Sequence, residues 1–338
     1  MRIGITDFAP PPFELERQVL GAEAELVFFG TRNEHEFPQE VLPELDALLV
    51  WRASVGPETT RQLKRCRIVV RYGVGYDALD WKALAEAGIP ACNTPDYGTE
   101  EVADTAVAMI LAQQRRVVRY DQECRTYSSG WQEHTRFTRR SSETSIGVVG
   151  VGRIGTAVVN RLKPFGFRLL GYDPQQPSGH EKAVGYERVR KLEELLEQAD
   201  VLTFHCPLTP ETHGMINREL LSRCRPGVML VNTARGAVLE SLEVLEEALR
   251  SGRVESAALD VLPQEPPGTH PLITAWQGQD DWIRGRLLIN PHSAFYSETA
   301  WQEMRLKAAE TVRLYLMEGE LRNQVPEQFA LLPAERMR

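Results

Sequence analysis

No stretch of the chain approaches the ~20 consecutive apolar residues that a membrane-spanning helix needs, and cysteine is sparse. The five cysteines, Cys66, Cys92, Cys124, Cys206 and Cys224, are scattered, odd in number and without a C-x-x-C pair. That argues against a disulfide framework or a metal site and for a reducing compartment, with each thiol a small packed apolar group. Net positive charge is also missing. The formal charge is -8, so the basic surface of a nucleic-acid binder is not expected, although a local basic pocket stays open. The first residues, MRIGITDFAP, turn polar or proline-rich after seven positions and lack the apolar core of a signal peptide. The expectation is a cytoplasmic protein with neither membrane nor nucleic acid as a partner.

What is present is an ordinary globular composition, 42% hydrophobic and 25% charged. Its 338 residues suffice for two domains, since single cores rarely grow far beyond ~250–300 residues. Apolar runs at 2–6, 25–29, 47–51 and 67–71 alternate with helical stretches, and PACNTP follows as a further strand. This is the pattern of a small α/β domain with a parallel sheet. A long alanine-rich helix over 99–119 leads out of it, and the polar, aromatic stretch 120–143 reads either as a solvated loop or as a subunit contact. Strands at 145–150, 168–172, 201–205, 229–232, 257–261 and 287–290 then alternate with helices, including one over 239–250. Together they predict a doubly wound domain. The segment 268–286 receives no assignment. A last amphipathic helix, capped at Ser297 and ending at Gly319, is free to return to the first domain and leave an interdomain cleft.

The stretch SIGVVGVGRIG places Gly150, Gly152 and Gly155 in a G-x-G-x-x-G spacing between a strand and a helix. Gly150 suits the tight turn, Gly152 lets backbone approach a pyrophosphate, and Gly155 lets helix and strand pack closely. The helix that follows offers amides and a positive dipole end to phosphates. Asp173 ends the next strand, twenty-three residues after Gly150. Its carboxylate would accept hydrogen bonds from ribose hydroxyls and repel a 2'-phosphate, and PQQPSG after it has no arginine, so NAD is expected over NADP.

Six blocks, VRYGVGYDALD, the Gly150 motif with Asp173, HCPLTPETHGMI, VNTARGAVLE, AALDVLPQEPP and NPHSAFYSE, resemble the D-isomer-specific 2-hydroxyacid dehydrogenases in order and spacing over about residues 45–320. EEVADTAVAMIL and HSAFYSE are most similar to the C-terminal-binding-protein branch and its bacterial relatives. The resemblance implies two Rossmann-like or flavodoxin-like domains with doubly wound parallel sheets. The substrate-binding domain would be discontinuous, 1–98 with 292–338, around an NAD-binding domain at 99–291. It implies a catalytic set of Arg235, Glu265 and His292. Reduction of a 2-keto acid delivers a proton to the developing alkoxide, a task suited to histidine, whose ordinary pKa lies near neutrality. Glu265 would hold one ring nitrogen, and the Arg235 fork suits a carboxylate and the adjacent carbonyl. Taken singly these residues read as a surface cation, a loop carboxylate and a turn histidine; their positions at the carboxyl ends of strands favour a site.

The resemblance places Arg153, Ile154, Thr105, His205, Cys206, Thr233, Ala234 and Asp260 at the cofactor, Asp260 against the nicotinamide carboxamide. Val74 and Gly75 would complete the carboxylate site, and Phe295 stands where animal C-terminal-binding proteins carry tryptophan, so substrate preference does not transfer. His213 is a weaker candidate, and His35, His134, His180 and His270 read as surface residues. The expected activity is an NAD-dependent oxidoreductase acting on CH–OH donors, a 2-keto or D-2-hydroxy acid, as a homodimer. The rival is an NADH-sensing, peptide-binding scaffold.

Overall fold

The computed structural model describes residues 1–7, 11–125, 131–132 and 138–325; His134 and part of the stretch 120–143 lie outside them. The chain divides into two compact units, Met1–Gly98 with Tyr296–Arg338, and Thr99–Phe295.

In the first unit β1 (Arg2–Ile5), α1 (Glu14–Leu20), β2 (Glu25–Phe28), β3 (Ala47–Val50), α2 (Pro57–Gln62), β4 (Ile68–Arg71), α3 (Trp81–Glu86) and β5 (Ala91–Cys92) follow one another. The parallel sheet runs β2-β1-β3-β4-β5. β3 reads ALLV and is buried at every position, as a central parallel strand covered on both faces must be. Phe37, Leu42, Leu45, Leu48 and Val69 form its core.

The second unit opens with α4 (Thr99–Gln114) and α5 (Val117–Cys124). A single helix to residue 119 was expected, but Arg116 takes a left-handed conformation, φ 55°. Its guanidinium meets Glu255 Oε1 at 2.9 Å, so a long-range ion pair holds the break. Next come β6 (Ser145–Val149), α6 (Arg153–Leu162), β7 (Arg168–Tyr172), α7 (His180–Val184), β8 (Glu187–Arg188), α8 (Leu192–Gln198), β9 (Val201–Phe204) and α9 (Arg218–Arg223). The unit closes with β10 (Val228–Asn232), α10 (Leu242–Arg250), β11 (Val254–Leu259), α11 (Pro271–Gly278) and β12 (Leu287–Ile289). Its parallel sheet runs β12-β11-β10-β9-β6-β7-β8. The order reverses between β6 and β9, which is the switch point where doubly wound sheets bind ligands. β8 was not expected: two residues carry too little apolar signal to read as a strand. α11 occupies eight residues of the unassigned segment, and the His270 ring caps it, Nδ1 accepting the Leu272 amide at 3.1 Å. His270 is thus a capping residue rather than a free surface one.

α12 (Glu298–Glu318) belongs to the first unit, between the expected Ser297 cap and Gly319 in a left-handed turn. It packs on α1. The carboxylate of Glu16, fully buried, accepts from Arg305 Nε at 2.8 Å and from the Tyr72 hydroxyl at 3.1 Å. The division falls after Phe295 rather than before His292, because the amides of His292, Ser293 and Ala294 are all bonded to Asp260 in the second unit.

Candidate active site

β6 runs straight into the glycine turn. Gly150 has φ 86°, where L side chains are strained, and an added Cβ would lie 2.7 Å from the Cys206 amide nitrogen. A Cβ at Gly155 would lie 2.0 Å from the Gly150 carbonyl oxygen, so helix and turn meet backbone to backbone. At Gly152, the N-cap of α6, a Cβ would meet nothing within 4 Å. That combination leaves a cradle at the start of a ten-residue helix whose N-terminus has no side-chain cap, as a bound pyrophosphate requires. Arg153, exposed, and Ile154, packed against the core, form the first turn.

Asp173 is fixed beside this turn. Its Oδ2 accepts the Val151 amide at 2.8 Å and its Oδ1 the Gln175 amide at 2.9 Å. Arg188 on β8 is the nearby arginine that the linear sequence does not reveal. It gives Nη1 and Nη2 to the carbonyls of Gln176 and Pro177 and pairs with Glu181. Its charge is therefore engaged within the loop. His180 was expected on the surface; instead its Nε2 lies 3.1 Å from the Val151 carbonyl and 3.3 Å from Thr156 Oγ1. It is placed there because α7 follows the loop after β7 back onto the turn.

The remaining candidates gather at the carboxyl ends of β9, β10 and β11. His205 bridges two threonines, Nε2 to Thr203 at 2.9 Å and Nδ1 to Thr233 at 3.3 Å. Burial pushes its pKa down to about 3. Cys206 is buried against Gly150, and burial raises its thiol to about 12. Asn232, which the sequence reading passed over, receives the Ala234 amide at 3.0 Å and donates to the Arg235 carbonyl at 2.9 Å. It thereby shapes the turn that presents Arg235. Gly236 lets that turn touch the next one, since a Cβ there would sit 1.8 Å from the Leu262 carbonyl oxygen.

Glu265 is anchored by the neighbouring chain: its Oε1 accepts the Leu262 amide at 3.0 Å, while Oε2 lies 2.6 Å from His292 Nδ1. His292 has φ 54°, an uncommon conformation for a non-glycine residue. Its amide is bonded to the Asp260 carbonyl oxygen at 2.8 Å. The Asp260 carboxylate accepts the amides of Ser293 and Ala294. Burial raises the Asp260 pKa, and the Ala294 and Ser293 amides oppose that rise. Thr105 on α4 lies 3.4 Å from the Ala294 carbonyl, and the Phe295 ring stands edge-on to His292 at 6.4 Å. Val74 and Gly75 lie in the first unit, on the turn after β4, where Asn93 Nδ2 donates to the Val74 carbonyl at 2.6 Å. His213 joins none of these contacts.

A family model described as "D-isomer specific 2-hydroxyacid dehydrogenase, NAD binding domain" matches residues 107–294. The chain belongs to the D-isomer-specific 2-hydroxyacid dehydrogenases. The second unit is accordingly an NAD-binding domain, and the glycine turn with Asp173 fits that cofactor. The chain is 32% identical to C-terminal-binding protein 1 of Caenorhabditis elegans, over 88% of this chain and 41% of that protein. It is also 32% identical to D-3-phosphoglycerate dehydrogenase of Methanocaldococcus jannaschii, over 87% of this chain and 53% of that protein. It thus spans about half the length of these relatives. Among solved structures it is similar to D-lactate dehydrogenase of Aquifex aeolicus complexed with NAD and lactic acid, with a TM-score of 0.83, 25% identity, 96% of this chain and 100% of that chain covered. Among the described residues no helix is long and apolar enough to cross a membrane, and no three His, Cys, Asp or Glu side chains gather as metal ligands.

Proposed function

We propose that this dehydrogenase interconverts a small 2-keto acid and the corresponding D-2-hydroxy acid, with Arg235, Glu265 and His292 as its catalytic set. The observation that carries the reading is the 2.6 Å pairing of His292 Nδ1 with Glu265 Oε2 in the same domain as the glycine turn. With Nδ1 held by the carboxylate, Nε2 is the ring atom left to give a proton to a developing alkoxide, or to take one from an alcohol. Arg235, presented from the neighbouring turn, binds the substrate carboxylate through its planar fork and polarises the carbonyl beside it. Bound NADH supplies the hydride equivalent to the carbonyl carbon, and NAD accepts it in reverse. Gly150, Gly152 and the first turn of α6 hold the pyrophosphate, Asp173 the adenosine ribose, and Thr105, His205, Cys206, Thr233, Ala234 and Asp260 line the remainder.

The test is NADH oxidation with a panel of 2-keto acids. His292→Ala is expected to lower turnover by about 10²–10⁴-fold while NADH binding persists. If NADH binds, no keto acid is turned over and the assembly state responds to NADH, the protein is instead a dinucleotide-sensing scaffold, the reading that its similarity to C-terminal-binding protein 1 favours. The reading extends to a cytoplasmic homodimer, which light scattering at micromolar concentration tests.

A further inference from the structure

The carboxyl ends of the second sheet carry the candidate active site; the amino ends carry something else. There, between the starts of β9 to β12 and the end of α4, the described residues line a half-open cavity of about 540 Å³. That is a size typical of small-molecule sites. Its lining holds five arginines, Arg116, Arg119, Arg139, Arg225 and Arg286, against two carboxylates, Asp200 and Glu255. This is a concentrated positive patch on a chain whose net charge is -8.

The carboxylates do not neutralise it. Asp200 is shared by Arg139 at 2.9 Å and Arg225 at 3.1 Å, and it also accepts the Ser145 amide. Glu255 pairs with Arg116. Arg119 is drawn to Glu123 on its own helix, and Arg286 gives its donors to the carbonyls of Glu255, Trp282, Leu249 and Val254. The cations feel one another: the Arg286 pKa is lowered, by burial first, with Arg119 and Arg116 adding to the fall against Glu255. Two buried polar atoms in the wall lack hydrogen-bond partners among the described residues, Ser256 Oγ, in a residue only 5% exposed, and Gln114 Oε1, in one 4% exposed. An orphaned hydroxyl costs free energy that a ligand atom can recover.

We propose that this cavity is a binding site for a small polyanion, a molecule carrying two or more carboxylate or phosphate groups, separate from the glycine turn. Arg225 and Arg119, each half-exposed beside the carboxylate it pairs with, provide forks for the anionic groups. Ser256 donates its hydroxyl from the floor. The site lies at the opposite ends of the strands from His292, so an anion held there reaches neither the proton-transfer residues nor the cofactor cradle. Arg139 also lines the cavity, and its backbone carbonyl accepts from Gln114 Nε2 at 2.7 Å.

Isothermal titration of the whole protein at low salt tests this, with sodium citrate in one arm, sodium pyrophosphate in a second and sodium acetate as the monovalent control. At least one polyanion is expected to bind saturably, and raising salt to about 0.5 M should weaken it. The double variant Arg119→Ala/Arg225→Ala and, separately, Ser256→Val should each weaken binding, the double variant by about tenfold or more, with NADH affinity and melting temperature unchanged. Should Arg225→Ala/Arg119→Ala fail to fold, Arg225→Gln with Ser256→Val replaces it. No binding up to about 10 mM, or binding that NADH displaces and the variants leave intact, overturns the proposal. So does a change of oligomeric state in the double variant without anion binding, which would make the cavity part of a contact between copies of this chain.

Discussion

Ala294 gives its amide proton to both carboxylate oxygens of Asp260, at 3.1 Å each. Since Ser293 gives its amide to Asp260 Oδ1 at 3.0 Å, the end of β11 holds the loop that carries His292. Asp260→Asn replaces one acceptor oxygen with a donor facing those amides. Turnover should fall about 10–100-fold, the usual cost of losing a group that orients a reacting side chain. Hydrogen exchange at the Ser293 and Ala294 amides should speed up, a change that loss of a cofactor contact alone would not produce.

In the proposed mechanism Glu265 acts through the His292 ring, so it should have no effect once that ring is gone. Glu265→Gln is expected to lower kcat on its own, yet His292→Ala/Glu265→Gln should be no slower than His292→Ala. A double variant that is the product of the two single losses would show that the residues act independently.

Gly150→Ala forces a β-carbon into a left-handed backbone and onto the Cys206 amide. The conformation alone costs about 1–2 kcal/mol, and the clash displaces the cradle. Denaturant titration should report the lost stability, and NADH fluorescence should report loss of binding.

The Val151 peptide is gripped from both sides, its amide by Asp173 and its carbonyl by His180. His180→Ala removes one grip without touching any atom proposed to react. NADH affinity should drop several-fold while kcat at saturating NADH holds, and an unchanged affinity would confine His180 to α7 packing.

His205 makes stability depend on pH with a definite sign. Burial depresses its pKa to about 3 in the folded chain, while the unfolded chain titrates near the ordinary value of 6.5. Below that value the unfolded state takes up a proton that the native state refuses, so its contribution to stability is complete above 6.5 and is lost as pH falls. Each pH unit costs up to about 1.4 kcal/mol. The residue keeps an exposed edge, so the direction of the effect carries the prediction. Denaturant midpoints at pH 7.5 and 5 should differ less for His205→Gln than for the natural chain.

The glycine turn, the strands that end in candidate residues and the capped helix α12 could be read in the sequence because each is a local signal: an apolar run, a glycine spacing or a serine cap. β8 could not, since Glu187 and Arg188 owe their strand geometry to pairing with Leu170 and Gly171. The break at Arg116 depends on Glu255, far along the chain. His180 looked solvated because its partners, Val151 and Thr156, are brought to it only by the β6–β7 crossover. The same holds for the arginine cavity. Its wall is assembled from the starts of separate strands, and no window of sequence contains more than a fragment of it.

Because α12 completes a unit that begins at Met1, synthesis imposes an order on assembly. Glu16 leaves the ribosome almost the whole chain ahead of Arg305, the cation that meets it in its buried site. The entire dinucleotide-binding domain lies between them in the sequence and can fold during that interval, while the first sheet still waits for its last helix.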